Sequence, residues 1–138
     1  MDQATFGIIG VGGIAQSQHL PNMTRAPHVR LKTLCDLNED LLGQMQQKYG
    51  VSETTTDYQQ LLADDEIDAV VVATKEDAQA DLAAAALRAG KHVYVEKPLA
   101  DTVAKVEQVV AAQAASGKFA AVGFNRRMAP AYRKAMEV

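Results

Sequence analysis

The sequence predicts an α/β fold: a doubly wound parallel sheet of about six strands with helices on both faces. Strand-like and helix-like segments alternate along the 138 residues with short connections, in the order βαβαβ followed by a second βαβαβ. Several strand segments are continuous and β-branched, which is typical of strands covered on both faces. A glycine-rich turn directly after the first strand supports the same fold, because nucleotide-binding sheets begin in this way.

The individual elements follow from hydrophobic runs and from the signals that end them. Six strands are predicted: Thr5–Ile9, Val29–Cys35, Thr54–Thr56, Ala69–Ala73, His92–Val95 and Phe119–Val122. Six helices are predicted: Ile14 to about Thr24, Glu39–Tyr49, Tyr58–Leu62, Glu76–Ala89, a segment capped by Asp101 or Thr102 that ends near Gly117, and one from about Pro130 to the end of the chain. Pro21 should bend or end the first helix, and Gly90 is predicted to form a left-handed cap.

The glycine-rich turn, Gly10–Ala15, has the form GxGxxA and predicts a binding site for a dinucleotide pyrophosphate. Gly10 allows a sharp exit from the strand, Gly12 lets the backbone approach the phosphates, and Ala15 keeps the helix close to the strand. The N–H groups and positive dipole at the helix start then face the anion. The predicted contributors to the cofactor site in this turn are Gly10, Gly12, Gly13, Ile14 and Ala15.

Asp36 is predicted to bind the adenosine ribose. It lies 21 residues after Ala15, at the end of the second strand, where its carboxylate can accept hydrogen bonds from ribose hydroxyls. The same charge would repel the 2′-phosphate of NADP, and the following Leu37 and Asn38 provide no cation for it. The pattern therefore favours NAD over NADP. The alternative is that Asp36 only caps the helix that begins near Glu39.

Three further strands end in polar residues: Thr74-Lys75, Glu96-Lys97-Pro98 and the segment from Gly123 to Arg127. The carboxyl ends of parallel strands share one edge of the sheet, so all of these segments should meet there. His19 could approach the phosphates or pack against the fold. Cys35 lies in a buried strand and is interpreted as a core residue rather than a nucleophile.

Composition excludes several other functions. The net charge is −3 and there is no dense Lys/Arg cluster, so nucleic acid is not expected as the main partner. No apolar stretch approaches the length of a transmembrane helix, and no group of residues has metal-ligand spacing. A single cysteine fits a reducing compartment, so we expect a cytoplasmic protein that does not act at a membrane.

Four segments together resemble the N-terminal NAD(P)-binding Rossmann domain of Gfo/Idh/MocA-type oxidoreductases. They read GIIGVGGIA, CDLNED, VVVATKEDAQADLAAAALRAGKHVYVEKPLA and GFNRRMAP, and the resemblance covers essentially the whole chain. The segment AGKHVYVEKPLA is the most specific of them. This family includes glucose–fructose oxidoreductase and inositol dehydrogenases.

The resemblance implies hydride transfer between a nicotinamide and a hydroxyl-bearing carbon of a sugar, cyclitol or similar polyol. It assigns Lys97 the catalytic role of orienting and polarising the reacting oxygen. Glu96 would pair with Lys97 or bond the cofactor ribose, and Asn125 would contact the substrate or the nicotinamide end. Pro98 is predicted to follow a cis peptide bond. The alternative is an exposed Glu-Lys pair that merely ends a strand.

Two positions depart from the family's usual pattern. Lys75 stands where proline is common, and Gln79 stands where histidine is common. Thr74 can still line the cofactor channel, and Lys75 either binds a cofactor phosphate or an acidic substrate, or is solvated. These departures leave the substrate class more open than the cofactor.

We expect residues 1–124 to form the NAD(P)-binding domain and residues 125–138 to begin the connection to a substrate domain. The last helix lacks a stop signal before Val138, so a fragment of a longer, homo-oligomeric enzyme is expected, with little turnover by itself. Two alternatives are a non-catalytic NAD sensor and a Rossmann domain that has lost its ligand.

Overall fold

The computed structural model describes residues 3–137 and contains one six-stranded parallel sheet, which confirms the predicted fold. The strands are β1 (Ala4–Ile9), β2 (Val29–Cys35), β3 (Glu53–Thr55), β4 (Ala69–Val72), β5 (His92–Val95) and β6 (Ala120–Val122). Their order in the sheet is β3-β2-β1-β4-β5-β6, and every neighbouring pair is parallel. The chain therefore builds one half of the sheet outward from β1, then returns to the other side of β1 and builds the second half.

In the part of the chain that the structure describes, six α-helices connect or follow the strands: α1 (Leu20–Met23), α2 (Glu39–Tyr49), α3 (Tyr58–Ala63), α4 (Glu76–Arg88), α5 (Val103–Ser116) and α6 (Pro130–Ala135). A π-helical turn, Ala15–His19, precedes α1, and a 3₁₀ turn, Asn125–Met128, precedes α6. No helix within residues 3–137 is both long enough and apolar enough to span a membrane.

Most predicted helix ends are confirmed, because they depend on local signals. Thr102 accepts a hydrogen bond from Lys105 N at the start of α5, and Gly90 has φ +77° just beyond α4. The predicted helix from Ile14 to about Thr24 is confirmed as a helical segment that ends at Met23, two residues after Pro21. It consists mainly of the π turn and the four-residue helix α1. One prediction was wrong: the last helix ends at Ala135 instead of continuing to the end of the chain.

The core consists of two layers, one on each face of the sheet. Val70 and Val72 of β4 pack into the layer that contains α4 and α5, whereas Val71 between them packs into the opposite layer with Leu20 and Leu42. Successive side chains of a strand point to opposite faces. A strand buried on both faces must therefore be apolar at every position, which explains the unbroken run in β4.

The strand order reverses between β1 and β4. The connections that leave these two strands run to opposite sides, so a crevice opens beyond their carboxyl ends. The glycine-rich turn follows β1 and Thr74 follows β4 closely, which puts both at this crevice.

Candidate functional site

Gly10 is required by the fold itself. Its φ is +93°, and its N–H donates to Cys35 O at 2.8 Å, which binds the start of the turn to the end of β2. A Cβ at this position would lie 2.5 Å from Ala73 O, a contact with backbone that no side-chain rotation relieves. Only glycine combines this backbone conformation with such a close approach to the end of β4.

Gly12 and Gly13 differ from Gly10, because a Cβ at either position would have no atom within 4 Å. Nothing in the protein therefore requires glycine there on steric grounds. Their lack of a side chain leaves open space over the start of the first helical turn, the space that an anionic group such as a pyrophosphate would fill. Ala15 is fully buried beneath the turn and packs in the core, so its contribution is to let the helix lie close to β1.

Asp36 is held in place by two backbone donors. Val11 N donates to its Oδ2 at 2.9 Å, and Asn38 N donates to its Oδ1 at 3.0 Å. A carboxylate offers about four acceptor positions, so each oxygen retains capacity for another donor. The helix α2 is capped by Asn38, whose Oδ1 accepts from Leu41 N at 3.0 Å. The alternative interpretation of Asp36 as the cap of this helix is therefore wrong.

Two adjoining clefts follow the carboxyl edge of the sheet. The adenosine cleft, as we name the first, has a volume of about 700 Å³, which is within the usual range for small-ligand sites. Its lining includes Gly10, Gly12, Gly13, Ile14, Asp36, Thr74 and Lys75, together with apolar residues such as Ile9, Tyr58 and Leu82. The reaction cleft, as we name the second, has a volume of about 680 Å³ and is lined by Ile14, Thr74, Lys75, Glu76, Asp77, Gln79, Glu96, Lys97 and Asp101.

The two clefts share Ile14, Thr74, Lys75 and Asp77, so they adjoin along the carboxyl edge of the sheet, and we call the pair the groove. Nine of the predicted site residues line this groove: Gly10, Gly12, Gly13, Ile14, Asp36, Thr74, Lys75, Glu96 and Lys97. Asn125 does not line either cleft; it is exposed at the start of the 3₁₀ turn.

Glu96 is paired with His19 rather than with Lys97. His19 Nε2 lies 2.8 Å from Glu96 Oε1, and both side chains are largely buried. Toward a carboxylate, which can only accept, the histidine Nε2 would be the donor. The other oxygen, Oε2, accepts from Lys97 N at 3.2 Å. The charged side chain of Lys97 is left exposed in the reaction cleft.

Tyr94 and Gly123 complete the surroundings of this pair. The rings of His19 and Tyr94 meet edge to face, with their centroids 5.5 Å apart. A Cβ on Gly123 would lie 2.6 Å from Tyr94 Oη and 3.4 Å from Glu96 Oε2, so glycine makes room for both. Burial, followed by the negative charge of Glu96, raises the pKa of the Tyr94 hydroxyl. No local sequence pattern connects the members of this cluster, so it could not be predicted from the sequence.

Gln79 holds the turn at Lys97 and Pro98 through a hydrogen bond. The peptide bond between Lys97 and Pro98 is cis, as predicted. Gln79 is buried in α4, and its Nε2 donates to Pro98 O at 2.7 Å. Glutamine therefore supplies a donor to this turn at the position where histidine is usual in the family that the sequence resembles.

Cys35 is a buried free thiol at the end of β2. Burial and the nearby carboxylates of Asp36 and Asp57 raise the pKa of the Cys35 thiol to about 11. A thiol that stays protonated at neutral pH is a poor nucleophile, which agrees with its interpretation as a core residue. Within residues 3–137, no group of three His, Cys, Asp or Glu side chains could hold a metal ion.

The sequence of this chain is similar to those of known oxidoreductases. Residues 4–124 match the model of the GFO_IDH_MocA family, described as an oxidoreductase family with an NAD-binding Rossmann fold. Over 132 residues the chain is 32% identical to myo-inositol 2-dehydrogenase from Thermotoga maritima, covering 96% of this chain and 39% of that protein.

Two solved structures have a fold similar to that of this chain. Scyllo-inositol dehydrogenase from Lactobacillus casei, solved with bound NAD(H) and scyllo-inositol, superposes with a TM-score of 0.92 at 26% identity, covering 99% of this chain and 40% of that one. GenD2 from gentamicin A biosynthesis, solved in complex with NAD, gives a TM-score of 0.92 at 31% identity and covers 99% of this chain and 39% of that one. The chain thus spans about 40% of the length of these relatives. It belongs to the Gfo/Idh/MocA oxidoreductase family, and it carries that family's NAD-binding Rossmann domain.

Proposed function

We propose that this chain is the nucleotide-binding domain of an NAD-dependent oxidoreductase that transfers a hydride between the nicotinamide and a hydroxyl-bearing carbon of a sugar, cyclitol or similar polyol. The observation that carries the proposal is the groove of two adjoining clefts, one lined by Asp36 and the glycine-rich turn and the other by Lys97. A dinucleotide bound along it would have its adenosine at one end and its nicotinamide at the other. The names of the inositol dehydrogenases among its relatives support a polyol substrate.

In the adenosine cleft, Asp36 binds the ribose hydroxyls, and the open surface over Gly12 and Gly13 receives the pyrophosphate. Preference for NAD over NADP follows from charge. A 2′-phosphate would lie against the Asp36 carboxylate, and neither Leu37 nor Asn38 supplies a compensating cation. Thr74, at the junction of the two clefts, lines the path between the two nucleotide halves.

In the reaction cleft, Lys97 is the catalytic residue. When bound, the nicotinamide accepts or supplies the hydride. The Lys97 ammonium orients the reacting oxygen by hydrogen bonding, and it stabilises the negative charge that develops there as the hydroxyl proton passes to an acid–base histidine, which we expect the substrate-binding domain to supply. Lys75 contributes a second positive charge to a cofactor phosphate or to an acidic group of the substrate. Asn125 contacts the substrate or the nicotinamide end from the segment that follows β6.

We assign residues 1–124 to the nucleotide-binding domain and residues 125–138 to the connection with a substrate-binding domain, which would also supply most contacts between subunits of a homo-oligomer. The family match ends at residue 124, and the relatives are much longer than this chain, which supports the assignment. The buried free thiol of Cys35 is compatible with a reducing compartment such as the cytoplasm.

The direct test is a substrate screen with the complete protein that carries this domain. NADH absorbance would be followed with inositols, sugars and amino sugars, each with NAD and with NADP. We expect NAD-dependent oxidation of at least one polyol and weaker activity with NADP. Binding of NAD without oxidation of any polyol or amino sugar would contradict the proposed reaction and leave the binding proposal standing.

A further inference from the structure

Two of the carboxylates that line the reaction cleft already have side-chain partners other than Lys97. Glu96 Oε1 lies 2.8 Å from His19 Nε2, and Asp101 Oδ1 lies 3.0 Å from Lys105 Nζ. Within residues 3–137, none of the ion pairs involves Lys97. The lysine that the proposed reaction needs is thus flanked by carboxylates and yet paired with neither of these two.

The bond between His19 and Glu96 is the stronger of these two restraints. The side chains are 15% and 12% exposed, whereas the Lys105–Asp101 pair is 29% and 50% exposed and is therefore better screened by water. The His19 ring is also held at one edge by Tyr94. These contacts leave the Glu96 carboxylate one fixed orientation, with Oε1 toward His19 and Oε2 toward Lys97 N.

Without His19, Oε1 would lose its partner while still largely buried. A buried carboxylate without a partner is costly, so it would turn toward the closest available cation. Lys97 is the adjoining residue and lines the same cleft. Its ammonium would then be drawn to Glu96 and would no longer be available to a substrate oxygen.

We propose that His19 is a positioning residue that, by binding Glu96 Oε1, keeps this carboxylate from pairing with the Lys97 ammonium. The proposal rests on the proposed catalytic role of Lys97. His19 lies in the π turn that directly follows the glycine-rich turn, 77 residues before Glu96 in the sequence. Single π turns within helices are frequent at functional sites. Here the turn joins the proposed pyrophosphate site to the proposed reacting group.

The test measures how available the Lys97 amine is in this 138-residue chain. The chain is labelled with a low concentration of acetic anhydride, and the rate at Lys97 is divided by the rate at Lys75, an exposed lysine that lines the same cleft. His19→Ala and His19→Leu remove the donor, and the leucine keeps the space filled. We expect the Lys97:Lys75 ratio to fall about two- to fivefold in both variants, since an ion pair protects the amine.

Three further variants separate positioning from general disturbance. His19→Gln retains an N–H donor and should keep the ratio close to that of the wild type. Glu96→Gln combined with His19→Leu removes the competing charge and should restore the ratio, which a merely loosened structure would not do. His28→Ala, at an exposed histidine in the loop before β2, is the matched control and should leave the ratio unchanged. Circular dichroism and thermal melting identify any variant that does not fold.

An unchanged ratio in a folded His19→Leu variant would overturn the proposal, as would a double variant that stays as slow as the single one. If His19→Ala does not fold, His19→Leu carries the comparison alone. The experiment contains no nucleotide and measures no turnover. A chain that fails to bind NAD would therefore count against the proposed function without altering the labelling result.

Discussion

The two ends of the groove are built in different ways. The adenosine cleft is formed by the turn after β1 and the end of β2, which are joined through backbone groups: Gly10 N to Cys35 O, and Val11 N to Asp36 Oδ2. The reaction cleft is lined largely by charged side chains, with Glu96 and Lys97 beyond β5. Backbone conformation and backbone hydrogen bonds determine the shape of the adenosine cleft, whereas the reaction cleft depends on a few side-chain contacts.

This difference separates binding from chemistry. Substitutions at the adenosine cleft should change stability or cofactor affinity, since the same groups hold the fold and face the ligand. Substitutions at the reaction cleft should change turnover and leave cofactor affinity nearly constant. A substitution at one end that changed both turnover and cofactor affinity would show that the two ends act as one unit.

The largest effect is expected at Lys97. Lys97→Met in the complete protein should lower kcat about 100- to 10,000-fold, since the group that we propose orients and polarises the reacting oxygen is lost. NAD affinity, measured by isothermal titration calorimetry, should change less than about threefold, because the side chain faces the reaction cleft and not the pyrophosphate site. A parallel loss of affinity and turnover would contradict the division between the two ends.

The glycines of the turn provide a matched pair. Gly10→Ala should lower the free energy of unfolding by about 3 kcal/mol or more, because it combines a positive φ with a clash against Ala73 O. Gly12→Ala should change it by less than about 1 kcal/mol, since the new methyl group has no neighbour within 4 Å, but it should weaken NAD binding. Urea unfolding and calorimetry measure the two quantities. Equal destabilisation by both substitutions would show that Gly12 also serves the fold.

Asp36→Asn tests the ribose assignment. Asparagine keeps an oxygen that can accept from Val11 N but removes the negative charge. We expect NAD affinity to fall about tenfold, the size of a lost charge-assisted hydrogen bond, and NADP affinity to hold or rise. Titration of both nucleotides measures the change. Equal losses for the two nucleotides would mean that Asp36 only supports the turn.

The smallest effect concerns the Cys35 thiol, which lines the adenosine cleft. The pKa of Cys35 in the folded protein, about 11, lies above that of an unfolded cysteine, about 8.5. Its contribution to stability is therefore fully present below about pH 8.5 and is lost as the pH rises through 11. The wild-type Tm should fall more steeply between pH 9 and pH 11 than that of Cys35→Val. Parallel curves for the two proteins would contradict this account.

The fold and most of the groove could be predicted from the sequence because their signals are local. The unbroken apolar run of β4, the turn at Gly10–Ala15 and the polar residues that end each strand all lie within short segments. Because parallel strands share one edge, these segments had to converge. The cis bond before Pro98 followed from the family resemblance and is confirmed.

The contacts that orient the reaction cleft could not be predicted in this way. His19 and Glu96 are 77 residues apart, and their hydrogen bond depends on a π turn that the hydrophobic pattern of the sequence does not predict. Tyr94 and Gly123 meet only because β5 and β6 are neighbours in register. Each of these residues alone is compatible with a surface or core position.

One dinucleotide should bind along the whole groove. Titration of NAD and NADP into this chain, followed in ¹⁵N-resolved amide spectra, tests this directly. We expect saturable binding with NAD the tighter ligand, and shifts that appear together at Gly12, Asp36 and Lys97 with a single dissociation constant. Absence of binding at millimolar NAD, or shifts confined to one end of the groove, would contradict it.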